Sequence, residues 1–197
     1  NIMNKQTGDQ REPMLQAITS DTIIQAQNGD AGVISALYQR YRVGIFRYLY
    51  YRTGDLQAAD DLTSEVFLRM LRAIENYQPT GVSFDAWLFQ IARNVAIDHY
   101  RKSRHRQHLP LNDELVARDE RVERSVEREL ISENLAEALA QLNETQRDVI
   151  VMRFVVGMRI AQVAQTLHKS EDAVKGLQRR GLMALRDILS DWEVNYA

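Results

Sequence analysis

The chain has 197 residues, of which 45% are hydrophobic and 26% charged, and its formal net charge is −2. This composition is typical of a folded globular protein, and the length accommodates one domain or two small ones. The absence of cysteine excludes a disulfide scaffold, a cysteine-ligated zinc site and a cysteine nucleophile, and it fits a reducing compartment such as the cytoplasm. No apolar run approaches the roughly 20 residues that a membrane-spanning helix needs, so we expect no membrane insertion.

The small net charge hides an uneven distribution along the chain. Residues 21–106 carry a net charge of +2, residues 107–144 carry −6 and residues 145–186 carry +5. Two basic segments on either side of an acidic one are a reason to suspect a polyanionic partner. Two solvated domains with a charged connector would give the same pattern, so the charge distribution alone leaves both interpretations open.

Hydrophobic residues recur with helical spacing through most of the chain, and no strand-like alternation persists. Turn signals at residues 28–30, 53–55 and 78–81 each end with, or are soon followed by, a candidate helix N-cap: Asp30, Asp55 and Ser83. The pattern predicts helices near residues 21–28, 31–52, 55–76, 83–104, 132–141, 144–156, 160–167 and 171–189.

Residues 105–130 contain Pro110 and a dense mixture of Asp, Glu and Arg, which predicts a linker. The predicted fold is therefore all-α, with two small helical domains joined by a flexible acidic linker. We assign a mobile arm to residues 1–20, the first domain to 21–104, a second, four-helix domain to 131–190, and a tail to 191–197.

The predicted helices at 160–167 and 171–189 have the spacing of a helix-turn-helix. With Ile160 as position 1, the apolar positions 4, 8, 15 and 18 and the small position 5 are filled by suitable residues: Val163, Leu167, Val174, Leu177 and Ala164. His168 stands in the turn where Gly is common, and His tolerates a left-handed backbone better than bulky residues do. Ser170 is a candidate N-cap for the second helix.

The second helix of this pair carries polar and basic residues away from its apolar stripe, namely Lys175, Gln178, Arg179 and Arg180. Such side chains suit contacts with phosphates and base edges in a major groove. The alternative is an ordinary helical hairpin with a solvated basic face.

A second basic surface is predicted on the helix at 83–104. Asn94, Asp98 and Arg101 fall on one face of it, and residues 93–106 carry a net charge of +4. Aromatic residues lie nearby in the sequence, and a basic surface with amide and aromatic groups suits single-stranded nucleic acid. Phe84 and Trp87 are nevertheless expected in the core.

Several segments carry a family resemblance: ADDLTSEVFL at 59–68, FDAWLFQIARNVAIDHYR at 84–101, LNETQRDVIVMRF at 142–154 and SEDAVK at 170–175. Together, and in this order, they resemble bacterial RNA polymerase sigma factors of the extracytoplasmic-function type, which form group four of the sigma-70 family. The first resembles the polymerase-binding helix, the second the promoter-melting helix, and the last two the second DNA-binding domain. The resemblance covers about residues 28–104 and 132–188.

The resemblance implies a role for each domain. The first would bind the clamp helices of the largest polymerase subunit and the minus-10 promoter element, and the second would bind the flap of the second-largest subunit and the minus-35 element. The implied polymerase contacts are Asp60, Asp61, Leu62, Glu65 and Phe67. The implied minus-10 contacts are Tyr77, Arg93, Asn94, Asp98, Arg101 and Lys102, with an extruded base held near Tyr77 and Phe84. The implied minus-35 contacts are Lys169, Ser170, Lys175, Gln178, Arg179 and Arg180.

The resemblance also implies an anti-sigma factor as a partner, a monomer when free, and neither a cofactor nor a metal. The sequence departs from the family pattern at Gly176 and Leu177, where Ser and Arg are frequent, and Gly176 offers no side chain to a base. Two alternatives remain at this point: a stand-alone helix-turn-helix regulator with a helical sensing or dimerisation domain, and a helical protein-interaction module. An enzyme is least expected, because the 4 His residues make no metal-binding spacing such as HExxH and no Gly-rich phosphate loop is present.

Overall fold

A computed structural model of the chain describes residues 18–107 and 133–195, and all regular elements in these ranges are helical. The first domain contains α1 (Ser20–Gln27), α2 (Ala31–Thr53), α3 (Leu56–Ala73), a 3₁₀ turn (Ile74–Asn76) and α4 (Phe84–Gln107). The second contains α5 (Glu133–Ala140), α6 (Glu144–Ile150), α7 (Ile160–Leu167) and α8 (Glu171–Asn195). The predicted all-α fold with two small domains is confirmed.

Side-chain caps explain where the helices of the first domain begin. Asp30 accepts hydrogen bonds from the backbone N–H groups of Gly32 and Val33 at 2.9 and 3.1 Å, and Asp55 accepts one from Ala58 at 2.9 Å. The Ser83 hydroxyl accepts a longer bond, of 3.3 Å, from the N–H of Ala86 in α4. The three predicted N-caps therefore satisfy N–H groups that have no partner within the helix.

Three predicted boundaries differ from the structure. The helix predicted over 144–156 is interrupted, because α6 ends at Ile150 and continues as a π-helical turn over Val151–Val155. Gly157, with φ of 86°, then turns the chain towards α7. Helix α8 runs on to Asn195, so the assigned tail is helical over 191–195, and α4 runs to Gln107. Residues 1–17 and 108–132, which hold most of the predicted arm and linker, lie outside the described residues.

The buried apolar side chains of both domains belong to one hydrophobic cluster. In the first domain the largest fully buried side chains are Leu37, Ile45, Tyr48, Leu49, Val66, Met70, Leu88, Phe89 and Val95, and in the second they are Leu139, Val149 and Met152. None of the described helices is long and apolar enough to cross a membrane.

Two glycines in α8 have opposite surroundings, although both lower helix propensity. A Cβ on Gly176 would meet only the flexible Arg180 guanidinium, at 3.5 Å. A Cβ on Gly181 would lie 3.0 Å from Cγ1 and 3.2 Å from Cδ1 of Ile150, a buried residue of α6. Gly181 therefore permits the close approach of α8 to α6, whereas Gly176 has no such packing role.

We predict that Gly176→Ala raises the free energy of unfolding by about 0.5–1 kcal/mol, because Ala is the better helix former. Gly181→Ala gains the same propensity but forces Ile150 to move within a packed core, and overpacking typically costs about 1–3 kcal/mol. Chemical denaturation of the two variants measures the difference. Equal stabilisation by both substitutions would contradict the packing role of Gly181.

Candidate polymerase and nucleic-acid interfaces

The exposed strip of α3 begins with acidic side chains. Asp60 and Asp61, both predicted polymerase contacts, are exposed in the first half of the helix, and Leu62 is half-buried. Phe67, also predicted as a contact, is buried and packs on Tyr38 with 4.7 Å between the ring centroids. Its ring therefore stabilises the packing of α2 on α3 and offers little surface to a partner.

The same strip continues with two apolar side chains that the sequence reading did not single out. Leu68 is 48% exposed and Leu71 is 40% exposed. Leu68 lies eight residues after Asp60, and residues at i, i+4 and i+8 share one face of a helix. Helical spacing alone could therefore have placed Leu68 on the acidic face. Helix α3 thus presents a surface that is acidic towards its amino end and apolar towards its carboxyl end.

One arginine ties α3 to α4. Arg69 donates from Nε to Glu65 Oε1 at 2.7 Å and from Nη1 to Asp98 Oδ2 at 2.9 Å. These hydrogen bonds, that with Asp98 first, raise the pKa of Arg69 above its ordinary value. Glu65 and Asp98 were predicted to face different partners, yet the structure joins them through a single guanidinium.

The predicted minus-10 residues of α4 divide into two groups. Asn94, Arg101 and Lys102 are exposed, and Asp98 lies between them in its bond with Arg69. Arg93 instead reaches the second domain, where its Nε donates to Asp148 Oδ2 at 2.9 Å. The predicted surface is therefore present, except that one of its cations is already engaged within the chain.

An aromatic cluster holds the loop that precedes α4. The ring of Tyr77 lies 4.8 Å from that of Trp87 and 5.6 Å from that of Phe84, between centroids. The Tyr77 hydroxyl donates to the carbonyl of Val82 at 2.9 Å, and burial raises the pKa of Tyr77, which keeps this donor protonated. Tyr77 is 6% exposed, so the residue predicted to meet a base supports the loop from within.

A cavity of about 470 Å³ lies beside this loop. Its first-domain wall includes Tyr77, Val82 and Phe84, which is where the resemblance implies the pocket for an extruded base. Its other wall includes Arg159 and Gln162 of the second domain. The cavity is thus lined by residues of both domains.

The helix-turn-helix forms as predicted. Val163, Ala164, Leu167 and Val174 are buried between α7 and α8, and Leu177 is half-buried. His168 adopts the left-handed conformation, with φ of 51° and ψ of 47°, and the Ser170 hydroxyl accepts a hydrogen bond from the N–H of Ala173 at 3.2 Å.

The polar face of α8 is largely open to solvent. The exposed residues among those predicted to contact the minus-35 element are Lys169, Ser170, Lys175, Arg179 and Arg180. Lys175 pairs with Asp172 at 3.0 Å, and Gln178 accepts a hydrogen bond from Arg153 Nε at 3.2 Å. Gly176 interrupts this face without a side chain, so the cations around it dominate the surface.

The two domains meet at a buried carboxylate that the sequence reading missed. Asp148 of α6 is fully buried and accepts a hydrogen bond from the Tyr48 hydroxyl at 2.9 Å. It also pairs with Arg93 Nε at 2.9 Å and with Arg52 Nε at 3.4 Å. Burial and the charge of Asp148 raise the pKa of Tyr48 well above its ordinary value, so the phenol remains a donor. The position of Asp148 directly before the apolar run 149–152 was the one sequence signal that this carboxylate is buried.

A second group of interdomain contacts joins α7 to the loop and start of α4. Gln165 donates to the carbonyl of Gly81 at 2.8 Å and accepts from both the N–H and the hydroxyl of Ser83 at 3.2 Å. The Thr166 hydroxyl lies within hydrogen-bond distance of two carbonyls, that of Gln162 in its own helix at 2.9 Å and that of Ala86 at 3.2 Å. His168 bonds to Gln90 at 2.8 Å. Helix α7 therefore lies over the loop that was predicted to receive a flipped base.

Comparison with known proteins identifies both domains. The chain matches the family models described as Sigma-70 region 2, over residues 37–106, and Sigma-70, region 4, over residues 138–187. It is 38% identical to the ECF RNA polymerase sigma factor BldN of Streptomyces coelicolor over 87% of this chain and 66% of that protein. It is 36% identical to SigX of Bacillus subtilis, over 76% of this chain and 80% of that protein. It is 32% identical to SigL of Mycobacterium tuberculosis, over 84% of this chain and 94% of that protein.

Solved structures agree on the fold. The chain resembles CnrH, solved in complex with the cytosolic domain of CnrY, with a TM-score of 0.67 and 24% identity over 87% of this chain and 96% of that one. It also resembles the sigma factor RpoE of Bartonella quintana, which was solved in complex with the anti-sigma factor NepR. The TM-score is 0.61 and the identity 16%, over 79% of this chain and 96% of that one. With the two matched regions in the family's order, the chain belongs to the extracytoplasmic-function sigma factors of RNA polymerase.

Proposed function

We propose that this chain binds core RNA polymerase in the cytoplasm and directs promoter recognition, DNA melting and the start of transcription. The match to both sigma regions in one chain carries the proposal, since it supplies a polymerase-binding, melting domain and a helix-turn-helix domain together. Such a protein acts by binding, so we assign it no catalytic residue. In the described ranges no group of three or more His, Asp or Glu side chains could hold a metal ion.

The exposed strip of α3 is the surface that we assign to polymerase. Asp60 and Asp61 provide negative charge for steering and orientation, and Leu68 and Leu71 provide apolar area that leaves water on binding. These leucines replace the buried Phe67 as the apolar contacts. Glu65 acts indirectly, because it bonds to Arg69, which in turn joins α3 to Asp98 of α4.

We predict that Asp61→Arg weakens binding to core polymerase about tenfold, because it places a like charge against a surface complementary to an acidic one. Fluorescence anisotropy of labelled protein titrated with core polymerase measures the affinity. Asp21→Arg is the matched control, since Asp21 is an exposed acidic residue of α1 in the same domain. Equal losses in both variants would remove the α3 strip from the interface.

Helix α4 and the loop before it are assigned to the minus-10 element. Asn94, Arg101 and Lys102 offer amide and cationic groups to a single strand, and the cavity beside Tyr77 and Phe84 could receive an extruded base. Flipping a base costs a few kcal/mol, which such contacts would offset.

We predict that Asn94→Ala combined with Arg101→Ala lowers the yield of open promoter complex about tenfold while polymerase binding stays within twofold. Permanganate reactivity of unpaired thymines reports melting, and anisotropy reports polymerase binding. Arg72→Ala, which removes an exposed cation from α3, is the control. Unchanged melting in the double variant would exclude these two residues from the single-strand contact.

The basic face of α8 is assigned to the minus-35 element. Its exposed cations, Lys175, Arg179 and Arg180, suit phosphates, and Gly176 and the half-buried Leu177 limit the reading of bases by this part of the helix.

We predict that Arg179→Ala weakens promoter binding by the polymerase holoenzyme similarly across promoter sequences and lowers the salt dependence of log K by about 1. Filter binding over a range of salt concentrations measures the slope. Arg186→Ala is the control, because Arg186 is an exposed cation of the same helix that pairs with Asp187. This variant should leave the slope unchanged. A sequence-dependent loss without a change in slope would indicate base reading instead of a phosphate contact.

The comparisons do not favour a stand-alone regulator, since both domains match sigma regions. Run-off transcription with core polymerase on a library of upstream regions tests the proposal as a whole, and absence of promoter-specific initiation would reject it. We also propose an anti-sigma factor as a partner, as the family resemblance of the sequence implies.

A further inference from the structure

We propose that Gln27, the last residue of α1, is a positioning residue for the loop at 77–83 and thereby sets which base the cavity beside this loop accepts. The inference rests on the proposed function, because it concerns the surface assigned to the minus-10 element. It deepens that function by bringing α1 into the part of the chain that determines promoter specificity.

The first argument is a bridge from α1 to the turn that follows α3. The Gln27 side chain donates from Nε2 to the carbonyl of Ile74 at 3.0 Å and to that of Tyr77 at 2.8 Å. An amide nitrogen carries two hydrogens, so one side chain supplies both hydrogen bonds. The N–H of Tyr77 closes the turn by donating to the carbonyl of Ile74 at 3.0 Å. The Gln27 amide therefore ties both ends of the 3₁₀ turn to α1.

The second argument is that α1 is itself fixed to the first domain. Ile23 and Ala26 are buried and belong to the hydrophobic cluster. Gln27 follows Ile23 by four residues, so it lies on the same face of the helix, and its side chain is half-buried. The amide is thus held in place by a packed helix and can determine where the turn lies.

The third argument is that Tyr77 transmits the position of the turn to the loop. Its hydroxyl donates to the carbonyl of Val82 at 2.9 Å, and its ring packs against those of Phe84 and Trp87. Tyr77, Val82 and Phe84 are also the first-domain wall of the cavity assigned to the extruded base. A shift of the Tyr77 main chain therefore changes the shape of that wall.

Loss of the Gln27 amide would produce such a shift. Tyr77 is buried, and a buried carbonyl that loses its donor costs free energy. Water can replace the amide only if the turn moves outward, and the cavity wall moves with it. Ile18 and Ser20, at the other end of α1, line the same cavity, so this helix borders the site as well as supporting it.

Base selectivity tests the proposal. Gln27→Met keeps the length of the side chain but removes the donor, and Gln25→Met is the matched control, because Gln25 is an exposed residue of the same helix. Holoenzymes reconstituted with each variant transcribe promoters that differ only in the bases of the minus-10 element. We expect the ratio of run-off product between the best and the second-best base to fall about threefold or more for Gln27→Met, as the loss of one hydrogen bond gives. The control should keep the wild-type ratio.

The ratio separates positioning from a contribution to stability alone. Unfolded chain lowers the product from every promoter by the same factor, so it leaves the ratio unchanged. A fall in total product with the wild-type ratio would therefore overturn the proposal.

Hydrogen exchange in the free chain tests the positioning without transcription. We expect the backbone amides of residues 77–83 to exchange about threefold faster or more in Gln27→Met than in wild type, again as the loss of one hydrogen bond gives. In Gln25→Met they should exchange at the wild-type rate, and the amides of α2 are the internal reference for global unfolding. Unchanged exchange of residues 77–83 in Gln27→Met would overturn the proposal. If the wild-type chain gives no promoter-specific transcription, the proposed function fails, while the exchange rates still report whether Gln27 positions the loop.

Discussion

The relation between the two domains depends on one buried carboxylate. Asp148 lies on α6, but a tyrosine and two arginines of the first domain neutralise it. Removing one member of such a cluster typically costs about 3–5 kcal/mol, because the remaining charges stay buried and unpaired. An apolar contact would tolerate sliding, whereas two ion pairs and a phenolic hydrogen bond require a defined geometry. The contacts of Gln165 and Thr166 with the start of α4 follow from that geometry.

This constraint sorts the functional surfaces by accessibility. The strip of α3 that we assign to polymerase and the cations of α8 face solvent, while the loop before α4 and Arg93 meet the second domain. The surface that we assign to polymerase is thereby separated from the loop that we assign to DNA melting.

Helical periodicity, turn residues and caps were sufficient to predict most of the fold. Asp30, Asp55 and Ser83 cap the helices as expected, and His168 adopts the left-handed turn. The sequence could not show which apolar residues of a helix pack against a neighbouring helix and which stay exposed. Phe67 and Leu68 are neighbours with similar hydrophobicity, yet Phe67 is buried because it meets Tyr38 and Leu68 is exposed.

Long-range pairing was equally hidden. Arg93 looked like a DNA contact because its neighbours are basic, but its partner lies 55 residues away in the other domain. Glycine at position 181 lowers the helix propensity of α8, and only the position of Ile150 shows why a side chain does not fit there. Tyr77 looked like a base contact and proved to be a buried support of the loop.

The cluster around Asp148 has an excess of positive charge. In the described ranges Asp148 is the only buried carboxylate, whereas Arg52 and Arg93 pair with it and Arg147 lies beside them. Burial, followed by the charge of Arg52, lowers the pKa of Arg147, a sign that these cations repel one another. A polyanion that reaches this seam offers the guanidinium groups more negative charge than a single carboxylate does.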